Sequence, residues 1–486
     1  MIFLKNHPKA LPFLFLTEMW ERFGFYVVQG MLVLYMAKEF HFSDDASYTI
    51  MGVFSALAYI APFVGGFLAD RVLGAKTAIV WGGIFLSAGY AMLAFPWPSG
   101  FYLSLATIII GNGLLKPNIS SLLGSLYEQD DPRRESGFTI FYIGINLGIL
   151  LAGLSSGYIK DHLGWHAGFA LASMGLLIGL MIFRTGLKQL EQLKHNPLNN
   201  SPNISKWAKT GIIACCLAAI YLVSKLLQNS LLATWLLPSA GIVLLVFLLV
   251  VTYKQKQPFR SRMLSLNALI LSSIIFWMIY LQLFFSANLF IERLVNKDFF
   301  GFHIPTTVFY ALEAVFIILL GPIFAWTWQS LSHSSRNPSA FLKFILAIAC
   351  VGMAFLILAV STHFTNADHL VNPLWIVLSY CLITIGELFL SPIGLSAVTT
   401  LAPRELMGMM MGIWFVALGF GGQFAGWLAK LASIPANVTS LVGQLDIYKV
   451  AFLNYALIAF SVSFILFMIQ LVMKKFLPKD GSRKMV

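Results

Sequence analysis

Apolar runs of about 18 residues or more recur along the whole length of this chain, and such runs are the mark of membrane-spanning helices. A bilayer core about 30 Å thick takes about 20 helical residues to cross, so 486 residues supply a dozen or more spans. The composition agrees, at 58% hydrophobic and 11% charged, where soluble domains run near a quarter charged. A soluble fold is excluded, and an all-α polytopic membrane protein is expected.

The runs place helices near 11–38, 47–69, 77–97, 101–127, 136–160 and 166–186, a first bundle of six within residues 1–186. Residues 187–262 then hold a polar linker, with Asn196-Pro197, Asn199-Asn200 and Ser201-Pro202, and an inserted helical pair near 210–227 and 232–253. Six more spans follow within 263–486, near 264–290, 306–329, 341–363, 373–399, 407–431 and 448–473. The plan of fourteen helices matches the architecture in which two six-helix bundles work about a midplane site. No strong sequence repeat relates the halves.

The formal net charge of +12 would suggest nucleic acid in a soluble protein. Here the basic residues gather in short loops: by these spans about 23 of the 32 Lys and Arg fall on the side of the N-terminus and about 7 on the other. The positive-inside rule accounts for them and predicts both termini on the cytoplasmic side. The first helix is expected to be retained, because charges interrupt it and no cleavage site of small residues follows. The four cysteines lie in apolar stretches with neither a disulfide framework nor a metal-binding spacing.

Almost every acidic residue belongs to a loop or a helix end, which leaves Glu18, Glu21, Glu313 and Glu387 at membrane depth with Arg22 and Lys116. Each such charge costs roughly 2.5–3.5 kcal/mol on insertion scales, so it marks function more often than packing. Glu18, Glu21 and Arg22 share one helix face, since positions i, i+3 and i+4 are neighbours. The spacing predicts a Glu18–Arg22 pair, with Glu21 free to bridge to Lys116 in GNGLLKPNIS, where Pro117 and the glycines loosen the backbone. A buried carboxyl whose ion pair can be made and broken can carry a proton.

EMWERFGFY at 18–26 resembles the ExxERFxYY signature of the proton-dependent oligopeptide transporters, a branch of the major facilitator superfamily, and FYIGINLG at 141–148 resembles its second signature. FSALAYIAPFVGGFLADRVLGAK at 54–76, GNGLLKPNISSLLGSLY at 111–127, IGELFLSPIGL at 385–395 and MGMMMGIWF at 407–415 extend the match over essentially the whole chain. YLQLFFSANLFIER at 280–293, IPANVTSL at 434–441 and the inserted pair resemble the bacterial di- and tripeptide permease branch. The resemblance implies proton-coupled import of di- and tripeptides, including peptide-like drugs, by alternating access. It implies Arg22 and Lys116 facing the peptide carboxylate, Asn146 and Glu387 facing its amine, and Tyr26, Tyr59, Trp277 and Trp414 lining side-chain pockets. Asp70 and Arg71, with Gly74 and Lys76, resemble the superfamily's gating loop. Coupling is assigned to Glu18, Glu21, Glu387 and Glu313, with protons as the coupling ion and no cofactor.

The chain departs from the family pattern at four places. Phe25 replaces the first tyrosine of the signature, so a hydroxyl is absent. The seventh span reads Tyr280 and Leu281 before Gln282, which joins the substrate-binding candidates, where many relatives carry acidic residues; Gln29 likewise replaces a cation. Glu313 stands where the family has an asparagine near the amine, which makes a second carboxyl beside Glu387 and points to altered coupling or to cationic substrates. A same-fold carrier of modified amino acids or small anions stays open as the alternative.

Other signals carry no function. His162 and His166 at i, i+4 are too few for zinc. The glycosylation-like triplets at Asn118, Asn203 and Asn437 are chance matches, and no Walker loop occurs. No nucleophile–base constellation points to an enzyme, no ring of charges to a channel, and no protein partner or nucleic acid is called for. The fold can work as a monomer in the lipid bilayer.

Overall fold

A computed structural model describes residues 7–128, 131, 133–191, 206–299, 301–333 and 338–476. Helices α1 (Leu11–Lys38), α2 (Asp44–Leu68), α3 (Ala75–Ala94), α4 (Phe101–Gly124), α5 (Arg134–Leu163) and α6 (Trp165–Glu191) come first. The inserted pair follows as α7 (Lys206–Gln228) and α8 (Ser230–Lys254). Then come α9 (Phe259–Tyr280), α10 (Ser286–Leu294), α11 (Thr306–His333), α12 (Ala340–Ser361), α13 (Leu374–Leu401), α14 (Met407–Ala429) and α15 (Leu441–Phe476). The only sheet among the described residues is the pair Asp298–Phe299 and Phe302–His303 before α11.

Among the described residues, thirteen helical segments are long and apolar enough to cross a membrane, with α9 and α10 together forming one, Phe259–Leu294. Helix α1 is long enough but falls outside that group, because Glu18, Glu21 and Arg22 interrupt its apolar run. With α1 the count is the fourteen spans expected. Large apolar side chains stand open on the outer faces, Leu222 (66%), Trp235 (63%) and Val243 (70%) among them, as a hydrocarbon surrounding requires.

One span differs from its expected form. The span expected near 264–290 is interrupted: a 3₁₀ turn, Leu281–Phe284, and the non-helical Phe285 (φ −109°, ψ −106°) separate α9 from α10. Helix α13 carries Pro392 within it and runs unbroken from Leu374 to Leu401. A single proline removes one hydrogen bond and need not end a membrane helix. The linker residues 192–205, with Asn203, lie outside the described residues.

The chain forms two compact units. Residues up to Tyr35 with Leu57–Ser230 make the first; Met36–Ala56 with the residues from Leu231 on make the second. The inserted helices are therefore divided, α7 belonging to the first unit and α8 to the second. In the first unit α3 packs between α4 and α6, and α7 lies on α4. In the second, α12 packs between α13 and α15, around Phe355, Phe452 and Tyr455. There Arg293 donates to both oxygens of Asp44 at 2.7 and 2.8 Å, Lys430 meets Asp45 at 3.0 Å, and Lys38 pairs with Glu292.

Candidate functional site: two buried charge clusters

The first cluster is built on α1, α2, α4 and α5. Glu18, Glu21 and Arg22 are 1%, 0% and 2% exposed. Arg22 donates through Nε and Nη2 to the two oxygens of Glu21, and its Nε lies 3.6 Å from Glu18 Oε1. The order expected from helical spacing is thus reversed: Glu21 is the bidentate partner and Glu18 the looser one. The guanidinium fork matches both oxygens of one carboxylate, a fit that outweighs the nominal i, i+4 alignment. Glu18 Oε2 is buried with no hydrogen-bond partner among the described residues.

The expected Glu21–Lys116 bridge is not formed. Lys116 meets no carboxylate within 4 Å among the described residues; its Nζ sits 5.4 Å from the Tyr59 ring centre. Tyr26, Tyr59 and Lys116 are only partly buried, so they form the open part of this cluster. Phe25, which lacks the expected hydroxyl, presents its ring face to Arg22, with Cζ 4.9 Å from the centroid. Where the family signature has a tyrosine, this ring makes a cation–π contact. On α5, Asn146 donates to the Tyr142 carbonyl at 3.0 Å, and its buried Oδ1 is left as an unused acceptor.

Sequence reasoning missed Asn112. Its Oδ1 accepts from Arg22 Nη2 at 3.2 Å, while its Nδ2 donates to the Ala58 carbonyl of α2 at 2.6 Å. An asparagine one turn from Lys116 within a membrane-spanning helix was the signal available.

The second cluster joins α9, α11 and α13. Tyr280, on the last residue of α9, meets Glu313 of α11 and lies 3.0 Å from Glu387 Oε2 of α13. Glu313 is 2% exposed, and Glu387 is half-buried. Trp277 stands one turn before Tyr280, with its ring centroid 4.9 Å away. Tyr280 is the centre of this cluster, and sequence reading treated it only as the loss of an acidic residue.

Two candidates are committed to packing. Gln282 is wholly buried: Nε2 donates to the carbonyls of Met278 (3.1 Å) and Ala425 (2.9 Å), and Oε1 accepts from Ser286 (2.7 Å). With both amide hydrogens and the carbonyl engaged, it closes the break after α9 and offers a substrate no donor. Trp414 is 6% exposed, packed on Gly394 of α13 and near Phe344 of α12.

Asp70 and Arg71 are exposed on a π-helical turn, Ala69–Leu73, that ends at Gly74 with φ 75°. Arg71 stacks near Phe67, and Lys76 reaches Glu191 at 3.3 Å. His162 and His166 bond different carbonyls, those of Tyr158 and Leu93.

Comparison with known proteins points one way. The sequence profile described as PTR2, POT family, matches residues 76–448. Peptide transporter YePEPT of Yersinia enterocolitica is 36% identical over 446 residues, 87% of each chain. Dipeptide and tripeptide permease A of Chromobacterium violaceum is 35% identical over 452 residues, 92% of this chain and 90% of its own. Among solved structures, a peptide transporter POT in complex with alafosfalin superposes with a TM-score of 0.84 at 33% identity, covering 96% of both chains. Tetrameric PepTSo2 gives 0.85 at 27% identity, covering 96% of this chain and 98% of its own.

Proposed function

As the chain belongs to the POT family, we propose that it is a proton-coupled symporter that brings di- and tripeptides, and peptide-like drugs, across a bacterial inner membrane by alternating access. The observation that carries this reading is the division of buried charge. The first unit holds the cations Arg22 and Lys116, and the second holds the carboxyl pair Glu313 and Glu387 without a cation within 4 Å among the described residues. A zwitterionic peptide requires one anchor of each kind.

The Glu21–Arg22 pair supplies a coupling step. While Glu21 is ionised it occupies the guanidinium fork; once protonated it gives up that bond, and the fork is free for the carboxylate of a peptide. Glu18, at the looser distance, acts as the second acceptor for Arg22. Lys116 adds positive charge at the open edge, Asn146 supplies an acceptor, and Tyr26, Tyr59 and Trp277 give aromatic walls to side chains. Asp70 and Arg71 serve the conformational change. Protons are the coupling ion, no cofactor is used, both termini lie in the cytoplasm, and the monomer is the working unit.

Uptake of a labelled dipeptide into proteoliposomes under an imposed inward proton gradient tests the proposal. Accumulation that depends on the gradient and is competed by di- and tripeptides, but not by amino acids or tetrapeptides, is expected. Indifference to the gradient, or the absence of peptide competition, overturns it. Competition by modified amino acids or small anions instead would favour the same-fold alternative.

A further inference from the structure

We propose that Glu313, Tyr280 and Glu387 form a second proton site, in which one exchangeable proton is shared between two carboxyls and is released to water when a primary ammonium takes its place. The first reason is a count of hydrogens. A phenol carries one, yet the Tyr280 hydroxyl meets Glu313 and stands 3.0 Å from Glu387 Oε2. With both carboxyls ionised it can donate to only one, and the other contact would set lone pair against lone pair. One proton on either carboxyl satisfies both contacts, since the phenol then donates to one and accepts from the other.

The second reason is charge. Glu313 Oε2 is buried with no hydrogen-bond partner among the described residues. No Lys or Arg lies within 4 Å of either carboxyl among the described residues. The surrounding helices supply no counter-ion. Tyr380 of α13 is close enough to sense Glu313, and Cys350 of α12 packs at Gly386, both neutral groups. The cation of α12, Lys343, has its Nζ 4.1 Å from the Trp328 ring centre. Helix α14, Met407–Ala429, has no ionisable side chain. Two carboxylates without a counter-ion in a buried site favour one unit of positive charge, which a proton or an ammonium can provide.

On exchange, the carboxyl O–H bond breaks, the oxygen keeps the electron pair, and the proton passes to water. The ammonium keeps its N–H bonds and donates them to the two carboxylates. Protons and charge balance without another reactant. The ammonium half of the proposal rests on the peptide-transport reading; the shared proton does not.

Two measurements on the purified full chain separate them. Infrared difference spectroscopy across a pH titration is expected to show a buried protonated-carboxyl band that disappears in Glu313→Gln and changes its midpoint in Tyr280→Phe. No such band, or one untouched by both substitutions, overturns the shared proton. In weakly buffered solution with a pH dye, in a Glu21→Gln background that removes proton uptake at the first cluster, dialanine is expected to release about one proton per peptide bound, N-acetyl-dialanine none, and the added Glu313→Gln none with dialanine. Binding without release, or equal release from Glu313→Gln, overturns the exchange. Failure of dialanine to bind overturns the exchange together with the peptide reading and leaves the infrared result to decide the proton site.

Discussion

Arg22 is the residue on which the first cluster turns, held by Glu21, Glu18, Asn112 and the Phe25 ring. Hydrogen bonds to a charged group contribute about 1.5–3 kcal/mol, so Arg22→Ala is expected to weaken dipeptide binding by about 10–100-fold. Asn112→Ala removes one positioning bond and should raise the apparent KM about 10-fold while the maximal rate changes little; an unchanged KM would mean that Asn112 does not aim the guanidinium. Glu21→Gln keeps the shape of the pair without its charge. Binding within a few-fold of wild type is expected, with accumulation against a gradient lost, and retained accumulation would remove Glu21 from the coupling step. Intramembrane charge made Glu18, Glu21, Arg22, Lys116, Glu313 and Glu387 legible in the sequence, because each costs insertion energy. Which carboxylate takes the guanidinium was not legible, since it depends on rotamers. Nor was Tyr280, whose role exists only when α11 and α13 bring their carboxyls to it.

At the level of the helix, Pro117 shows how sequence and packing interlock. Lacking an N–H, it leaves the Gly113 carbonyl without its usual intrahelical partner, and α4 nevertheless stays helical. Gly65 of α2 packs directly against that carbonyl, so a β-carbon there would fall on the oxygen itself. The same added carbon at Gly66 would lie 3.5 Å from Pro117 Cβ, an ordinary contact. Gly65→Ala is therefore expected to lower the thermal unfolding midpoint in detergent by several degrees, and Gly66→Ala to leave it nearly unchanged. Equal midpoints for the two variants would show that the close approach of α2 and α4 contributes nothing. Helix extents were readable because an apolar run of spanning length has one interpretation in a bilayer. The break after Tyr280 was hidden: LQLFFS is apolar enough to read as continuous helix, and the Gln282–Ser286 bond that stabilises its turn involves two unremarkable polar residues.

At the scale of the whole chain, fourteen spans and the family followed from apolar period and ordered motifs, whereas the division into units did not follow from the six-two-six plan. Met36–Ala56 belongs with the second unit, tied there by Asp44 to Arg293 and Asp45 to Lys430, and α7 and α8 fall to different units. Ion pairs of this kind join residues hundreds of positions apart, which no local pattern announces. The central claim is that peptide and proton cross together through a step gated by Glu21. The direct measurement is the luminal pH of proteoliposomes, with no proton gradient imposed, after a dipeptide is added outside. Acidification of the lumen by wild-type protein, absent with Glu21→Gln, is the predicted result; a steady luminal pH during dipeptide entry, or equal acidification by the variant, would contradict the account.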